Sequence, residues 1–173
     1  LIFILFIIDL KMSDILIISA TKGNNLVLAR KIGDHVSLDY KIISLEDFVL
    51  PLYVPGINVD KNNNIEILSQ KFIQSKGFIF CAPEYNGGSP PILTNTITWL
   101  SVCTTDWRGV FNNKKAIIAT HSGGAGFKFL TSFRSQLEHL GSLVYPRDIV
   151  VNKNKKFNPQ SVKDILLEFE KLI

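Results

Sequence analysis

Three short stretches of the chain concentrate the residue types that bind ligands. The first is Ser19-Ala20-Thr21-Lys22-Gly23-Asn24-Asn25, the second runs from Ala82 to Pro91, and the third is Thr120-His121-Ser122-Gly123-Gly124-Ala125-Gly126. The first leads directly into a helical pattern. A helix start offers unpaired backbone N–H groups and about half a positive charge, which together attract a phosphate. Ser19 and Thr21 add hydroxyls, Gly23 lets backbone approach closely, and Lys22 is the nearby cation. The same residues would serve equally well as a plain helix cap. No Gly-Lys-Ser/Thr follows at the spacing of a nucleoside-triphosphate loop, and Gly124-Ala125-Gly126 lacks the third glycine of a dinucleotide fingerprint. A phospho-acceptor domain would want acidic residues after the first strand and an Asp ending the third. Here Ser-Ala-Thr and Ala82-Pro83 stand in those places.

The elements that must position these loops alternate. Ile15 to Ile18, Phe78 to Ala82 and Ala116 to Ala119 are continuous apolar runs, the pattern of strands covered on both faces. Asp39 to Ser44 reads as a further strand, and Gly141 to Tyr145 as a short last one. Between them, Leu26, Ala29, Gly33 and Val36 mark a first helix. Ile65, Leu68 and Phe72 mark a second, capped by Asn62 to Asn64 and ended by Gly77. A third starts at Pro91 with Leu93, Ile97 and Leu100 inward. Leu130, Phe133, Leu137 and Leu140 give a fourth, and Val162, Ile165, Phe169 and Leu172 the last. Leu45 to Asp60, with Pro51, Pro55 and Gly56, reads as loop. This order implies an open α/β fold, a five-stranded parallel sheet with helices on both faces. Ligands bind at the carboxyl ends of such strands, which is where all three loops fall.

Pro83 to Ser101, PEYNGGSPPILTNTITWLS, resembles the signature of the NAD(P)H-dependent FMN reductases, flavodoxin-like proteins that include quinone, azo-dye and chromate reductases. The third stretch is similar to the same family's Gly-rich flavin loop, and the resemblance spans Asp14 to Tyr145. It implies a flavodoxin-like three-layer sandwich, FMN as cofactor, and NADPH or NADH as electron donor. It also implies a quinone, flavin, azo compound or metal oxyanion as acceptor. The backbone N–H groups of Asn86 and Gly87 would then face flavin N5 and O4, with Tyr85 shielding the ring and Pro83 and Glu84 beside it. Ser122, Gly123 and Gly124 would meet the pyrimidine edge, and Ser19, Thr21, Lys22, Gly23, Asn24 and Asn25 the phosphate. His121 falls near flavin N1 or O2, or faces solvent. No side-chain general base and no metal ligand is expected, because the flavin carries the chemistry.

Two departures from the family stand out. The first loop lacks the usual Arg, so Lys22 is left to serve FMN rather than a 2′-phosphate. Thr94 and Thr98 replace a Lys and an Asp that would pair along one helix, implying an altered surface or subunit contact. Trp107 is a candidate for the cleft edge, whereas Trp99 is expected to pack on the sheet. His35 and His139 fall at helix C-termini, where the dipole suits them, and Glu84 and Arg108 are candidates for a subunit contact in a homodimer or homotetramer. The rival function is a flavodoxin-type carrier that binds FMN without oxidising NAD(P)H directly. Such carriers are usually acidic, and this chain has a net charge of +4. A flavin-free scaffold on the same fold is a third reading.

At 173 residues the chain suits one domain. Its basic residues are scattered apart from Lys153, Lys155 and Lys156 in one loop, so no nucleic-acid stripe is present. Two cysteines, both in apolar surroundings, fit reduced thiols in a cytoplasmic protein. Leu1 to Ile8 is apolar but far short of the about 20 residues a membrane span needs. With Met12 just ahead of the first strand, residues 1–11 read as upstream sequence in frame and 12–173 as the domain.

Overall fold

The computed structural model describes residues 13–57, 63–104 and 106–173. The expected extension at 1–11, the Met12 start and the Asn62 cap lie outside the described residues. Strand β1 (Ile15–Ser19) is followed by α1 (Asn24–Gly33), β2 (Tyr40–Ser44), a single 3₁₀ turn at Leu45–Asp47, and α2 (Asn63–Gln74). Then come β3 (Gly77–Cys81), α3 (Pro91–Val102), β4 (Lys115–His121), α4 (Phe127–His139), β5 (Leu143–Val144), β6 (Ile149–Val151) and α5 (Pro159–Glu170). The sheet order is β2-β1-β3-β4-β5, all parallel, with β6 also paired to β4. This is the flavodoxin-like arrangement anticipated above.

Alternation along the strands assigns the two faces. Leu16, Ile18, Phe78, Phe80, Ala116 and Ile118 point to one side, under α2, α3 and α4. That layer is aromatic: Phe72, Phe78, Phe80 and Phe111 meet with ring centroids 5.1 to 6.2 Å apart. Ile15, Ile17, Ile79, Cys81, Ile117 and Ala119 point to the other side, under α1 and α5, in an aliphatic layer. Cys81 is fully buried there, and burial pushes its thiol pKa well up.

Several boundaries differ from expectation. In α1 the buried stripe is Asn25, Leu28, Ala29, Ile32 and Gly33, so Ala29 and Gly33 face inward as expected, Leu26 is not on the inner face and Val36 lies beyond the helix end. Gly77 does not end α2; the helix stops at Gln74, and Gly77 is the first residue of β3. Leu172 follows α5 and is exposed. The last strand is split into β5 and β6, which pair with the two ends of β4. Pro146 lies in the gap and has no N–H to give a ladder. Arg134 of α4 holds the break, donating to the Tyr145 carbonyl at 3.0 Å and to Asp148 Oδ1 at 2.6 Å.

The register sets the loop origins side by side. Ser19 is level with Ser44 on β2 and Cys81 on β3, and Cys81 with Ala119 on β4. Chain direction diverges on the two sides of β1, the point at which open parallel sheets take ligands.

Candidate active site

A cleft of about 810 Å³ opens at this carboxyl edge. It falls within the usual range for small-molecule and cofactor sites. Thr21, Gly23, Asn24 and Asn25 of the first loop line it, with Pro83, Glu84 and Tyr85 of the second and His121, Ser122 and Gly123 of the third. Ser19, Lys22, Asn86, Gly87 and Gly124 are not among the lining residues.

The first loop spends several of its side chains and some of its N–H groups on the protein itself. Gly23 caps α1 and its carbonyl accepts from the Leu26 and Val27 N–H groups, so the helix start offers the Asn24 and Asn25 amides to a ligand. No atom lies within 4 Å of where a Cβ would stand on Gly23, so a ligand has room there. Ser19, by contrast, is fully buried and its hydroxyl donates to the Thr21 carbonyl at 2.7 Å. Lys22 turns away to Asp47 Oδ1 at 2.7 Å, and that partner raises its pKa. The Lys22 backbone N–H donates to Glu46 Oε2 at 2.7 Å, which brings an acid into the cleft wall. Asn25 is 2% exposed and uses its whole amide on one residue. Its Nδ2 donates to the His121 carbonyl at 3.0 Å and its Oδ1 accepts from the His121 N–H at 2.8 Å. Asn25 is therefore a clamp between α1 and β4 rather than a free side-chain ligand.

The second loop turns at Asn86-Gly87. Both have positive φ, 51° and 74°, and the Tyr85 and Gly88 backbones exchange hydrogen bonds of 3.0 and 2.9 Å across them. That is the type I′ pattern, for which Asn-Gly is the preferred pair. It leaves the Asn86 and Gly87 amides at the tip and Tyr85, half-exposed, on the cleft wall. Glu84 caps α4: its Oε2 accepts from the Lys128 and Phe129 N–H groups at 2.9 and 3.1 Å. Its own N–H donates to Ser122 Oγ at 2.8 Å.

Ser122 is thus the hub of the third loop. Its hydroxyl also shares a 2.7 Å hydrogen bond with Thr120, and its N–H reaches the Val151 carbonyl at 3.2 Å. Gly126, at φ 69°, ends the loop; a Cβ there would sit 2.8 Å from Thr120 Cγ2, so only glycine fits. Gly123 and Gly124 have open space where a Cβ would be.

Two expectations about aromatic residues change. Trp107 does not edge this cleft; it packs beside His139 at 5.6 Å with Arg108 over its ring at 4.4 Å. Trp99 is buried, but its indole donates to the Pro51 carbonyl at 2.8 Å and meets Tyr53 edge-on, so it straps the 51–53 loop rather than lying on the sheet. Thr98 gives its hydroxyl to the Thr94 carbonyl at 2.9 Å. His35 stacks near Phe157 at 6.1 Å.

The cleft also has a wall that the sequence reading did not assign. Val27, Leu28 and Lys31 of α1, Glu46, and Val151, Asn152, Lys153, Lys156 and Phe157 after β6 complete it. The available signals were the carboxyl-edge rule applied to the last strand and the lysine cluster at 153–156.

A family model described as NADPH-dependent FMN reductase matches residues 13–156. An NAD(P)H-dependent FMN reductase of Schizosaccharomyces pombe is 29% identical over 153 residues, covering 78% of this chain and 67% of the relative. Among solved structures, the chain is similar to FerB, a flavoenzyme NAD(P)H:(acceptor) oxidoreductase from Paracoccus denitrificans. That match has TM-score 0.72, 15% identity, and coverage of 91% of this chain and 93% of the other. A flavodoxin from the domain Archaea superposes with TM-score 0.63 and 12% identity, covering 91% and 97%. At these identities the structural matches speak to fold alone.

Proposed function

This chain belongs to the NADPH-dependent FMN reductase family, with FMN as its flavin and NAD(P)H as its donor, and we propose that the carboxyl-edge cleft is where both bind. The observation that carries the placement is the convergence of three features on one cavity. These are the α1 N-terminus, the type I′ turn bearing Tyr85, and the open Gly123 loop.

The residues present fit FMN. The α1 amides, the Thr21 hydroxyl and the open face of Gly23 suit a phosphate without a paired cation, because a helix N-terminus stabilises an anion through its dipole. Tyr85 offers an aromatic face at the wall, and the Asn86 and Gly87 amides stand at the tip of a turn that needs no further support. Gly123 leaves space for a flat ring to approach backbone. When bound, FMN supplies a two-electron acceptor that takes a hydride from NAD(P)H and passes two electrons to a second substrate. The chain's own contribution is orientation and water exclusion; no side chain in the cleft is required as a general base. Ser19 and Lys22, paired elsewhere, are left out of this site.

We further propose that donor and acceptor share the cleft in turn, with a quinone, free flavin, azo compound or metal oxyanion as acceptor. A homo-oligomer is supported by the exposed apolar run Val49, Leu52 and Val54, which are 78%, 76% and 53% exposed beside α3. A cytoplasmic setting agrees with two unpaired cysteines. Among the described residues no helix is long and apolar enough to cross a membrane.

Anaerobic titration of the FMN-loaded protein with NADPH and then NADH tests the reading. Direct bleaching of the flavin band is expected. FMN that binds but that neither donor reduces would favour the carrier function, and failure to bind FMN would overturn the cleft assignment.

A further inference from the structure

Asn86 is the only asparagine of the sequence that glycine follows. An asparagine side chain carries an electrophilic amide carbon, and the backbone nitrogen of the next residue can close a five-membered ring onto it. A side chain on that next residue hinders the approach, and glycine has none. The reaction needs an exposed asparagine whose amide is not held, a following N–H that donates to nothing, and a backbone free to rotate.

The turn at the tip of the second loop supplies all of these. Asn86 and Gly87 are both exposed. Among the described residues, neither the Asn86 side chain nor the Gly87 N–H has a hydrogen-bond partner. Asn25, Asn95, Asn152 and Asn158, by contrast, each have Oδ1 tied to a backbone N–H. Asn113 shares the positive φ of Asn86, at 61°, but Lys114 follows it and gives its N–H to the Phe111 carbonyl at 3.1 Å. Two backbone bonds between Tyr85 and Gly88 close the Asn86-Gly87 turn, and an exposed turn held in this way opens locally. A cation also stands beside it. A Cβ on Gly87 would lie 3.2 Å from Lys128 Cδ and 3.7 Å from its Nζ, so the ammonium flanks the attacking nitrogen. Positive charge there favours the deprotonated nitrogen and the oxyanion that forms on attack.

We propose that Asn86 is a site of spontaneous deamidation that disables the cleft while FMN is absent, and that bound FMN protects it. This rests on the reading of the cleft as the flavin site. The Gly87 nitrogen gives up its proton and bonds to Asn86 Cγ; the Cγ–Nδ2 bond breaks, and ammonia leaves with a proton taken from solvent. Water then opens the resulting succinimide at either carbonyl, giving aspartate or isoaspartate. One water is consumed and one ammonia released, and nothing is oxidised or reduced. The ring abolishes the Gly87 N–H, and isoaspartate adds a methylene to the main chain, so the two-residue turn no longer closes. Both end products put a carboxylate beside the amides offered to the flavin. FMN resting on those amides requires the closed turn and so suppresses the open one that reacts.

The test incubates freshly purified protein in mildly alkaline buffer with and without FMN, and follows the peptide containing Asn86 by mass spectrometry. The apo protein should convert at this peptide, with isoaspartate among the products. FMN at about ten times its Kd should slow conversion about tenfold, because a ligand specific for the closed turn lowers the open fraction in proportion. FMN binding, read by fluorescence quenching, should be lost in step with the converted fraction. Asn86→Gln should show no mass change at this peptide, since a six-membered ring closes far more slowly. An apo protein that keeps Asn86 intact while the same chain in urea converts it would overturn the proposal. Conversion as fast with FMN bound as without, or converted protein that binds FMN unchanged, would overturn it equally. Failure of the underlying reading is separate: fresh protein, with Asn86 intact by mass, would then not bind FMN.

Discussion

The two ends of the cleft are organised by different physics. The flavin-loop end is fixed by buried hydrogen bonds in which each loop holds another: Asn25 grips the His121 backbone, Ser122 takes the Glu84 N–H, and Glu84 caps α4. The basic part of the lining presents exposed ammonium groups on flexible stems, Lys31 from α1 and Lys153 and Lys156 from the turn after β6. Preorganised amides serve a ring that must be placed to a fraction of an ångström. The first end should accordingly be sensitive to single-atom changes and nearly indifferent to salt, and the second the reverse.

Asn25→Ala is the sharpest way to break the first end. It strands the His121 N–H and carbonyl next to a buried site, and each orphaned group costs about 1–3 kcal/mol. Chemical denaturation should show a loss of about 3 kcal/mol, and FMN affinity should fall with it. Full retention of both would mean that the α1–β4 clamp is not what holds the loops. Ser122→Ala is milder. It removes the acceptor of the Glu84 N–H and the partner of Thr120, at about 1–2 kcal/mol. Because the Glu84 backbone then loses its tie to the third loop while its carboxylate stays on α4, FMN affinity should drop several-fold, measured by fluorescence quenching.

How much of this was legible follows the same division. The strands and the three loops could be read directly, since continuous apolar runs such as Phe78 to Cys81 have few alternatives to a sheet covered on both faces. The Asn86-Gly87 turn was legible only as part of a loop, although positive φ at two successive positions suits few residue pairs and Asn-Gly is the preferred one. What could not be read was which polar side chains were already spent. Ser19 and Lys22 are of the right type for a phosphate, yet one bonds a carbonyl two residues away and the other an acid contributed by the turn after β2. Those partners are chosen by the fold, not by local sequence. β6 escaped notice for a related reason: three residues after Pro146 carry too little periodicity, and only the C-terminal half of β4 shows that they pair.

Glu46 tests the boundary between the two ends. Its carboxylate accepts from the Lys22 N–H and lines the cleft beside the α1 N-terminus, where it opposes an arriving phosphate. Glu46→Gln keeps an acceptor oxygen and removes the charge. FMN should bind about threefold tighter, the gain shrinking as salt is added, as for any exposed like-charge contact. Weaker binding would place the phosphate away from this loop.

The smallest effect is expected at Lys22, the cation nearest the first loop in sequence. Its pair with Asp47 is exposed on both sides, 55% and 54%, so solvent and side-chain entropy offset most of the attraction. Lys22→Met should change stability by well under 1 kcal/mol and leave FMN affinity within twofold, because the proposed site meets the phosphate with helix amides and not with this ammonium. A tenfold loss of FMN affinity in this variant would show that Lys22 exchanges Asp47 for the phosphate on binding. The flavin end would then also depend on a mobile charge, and the contrast between the two ends would fail.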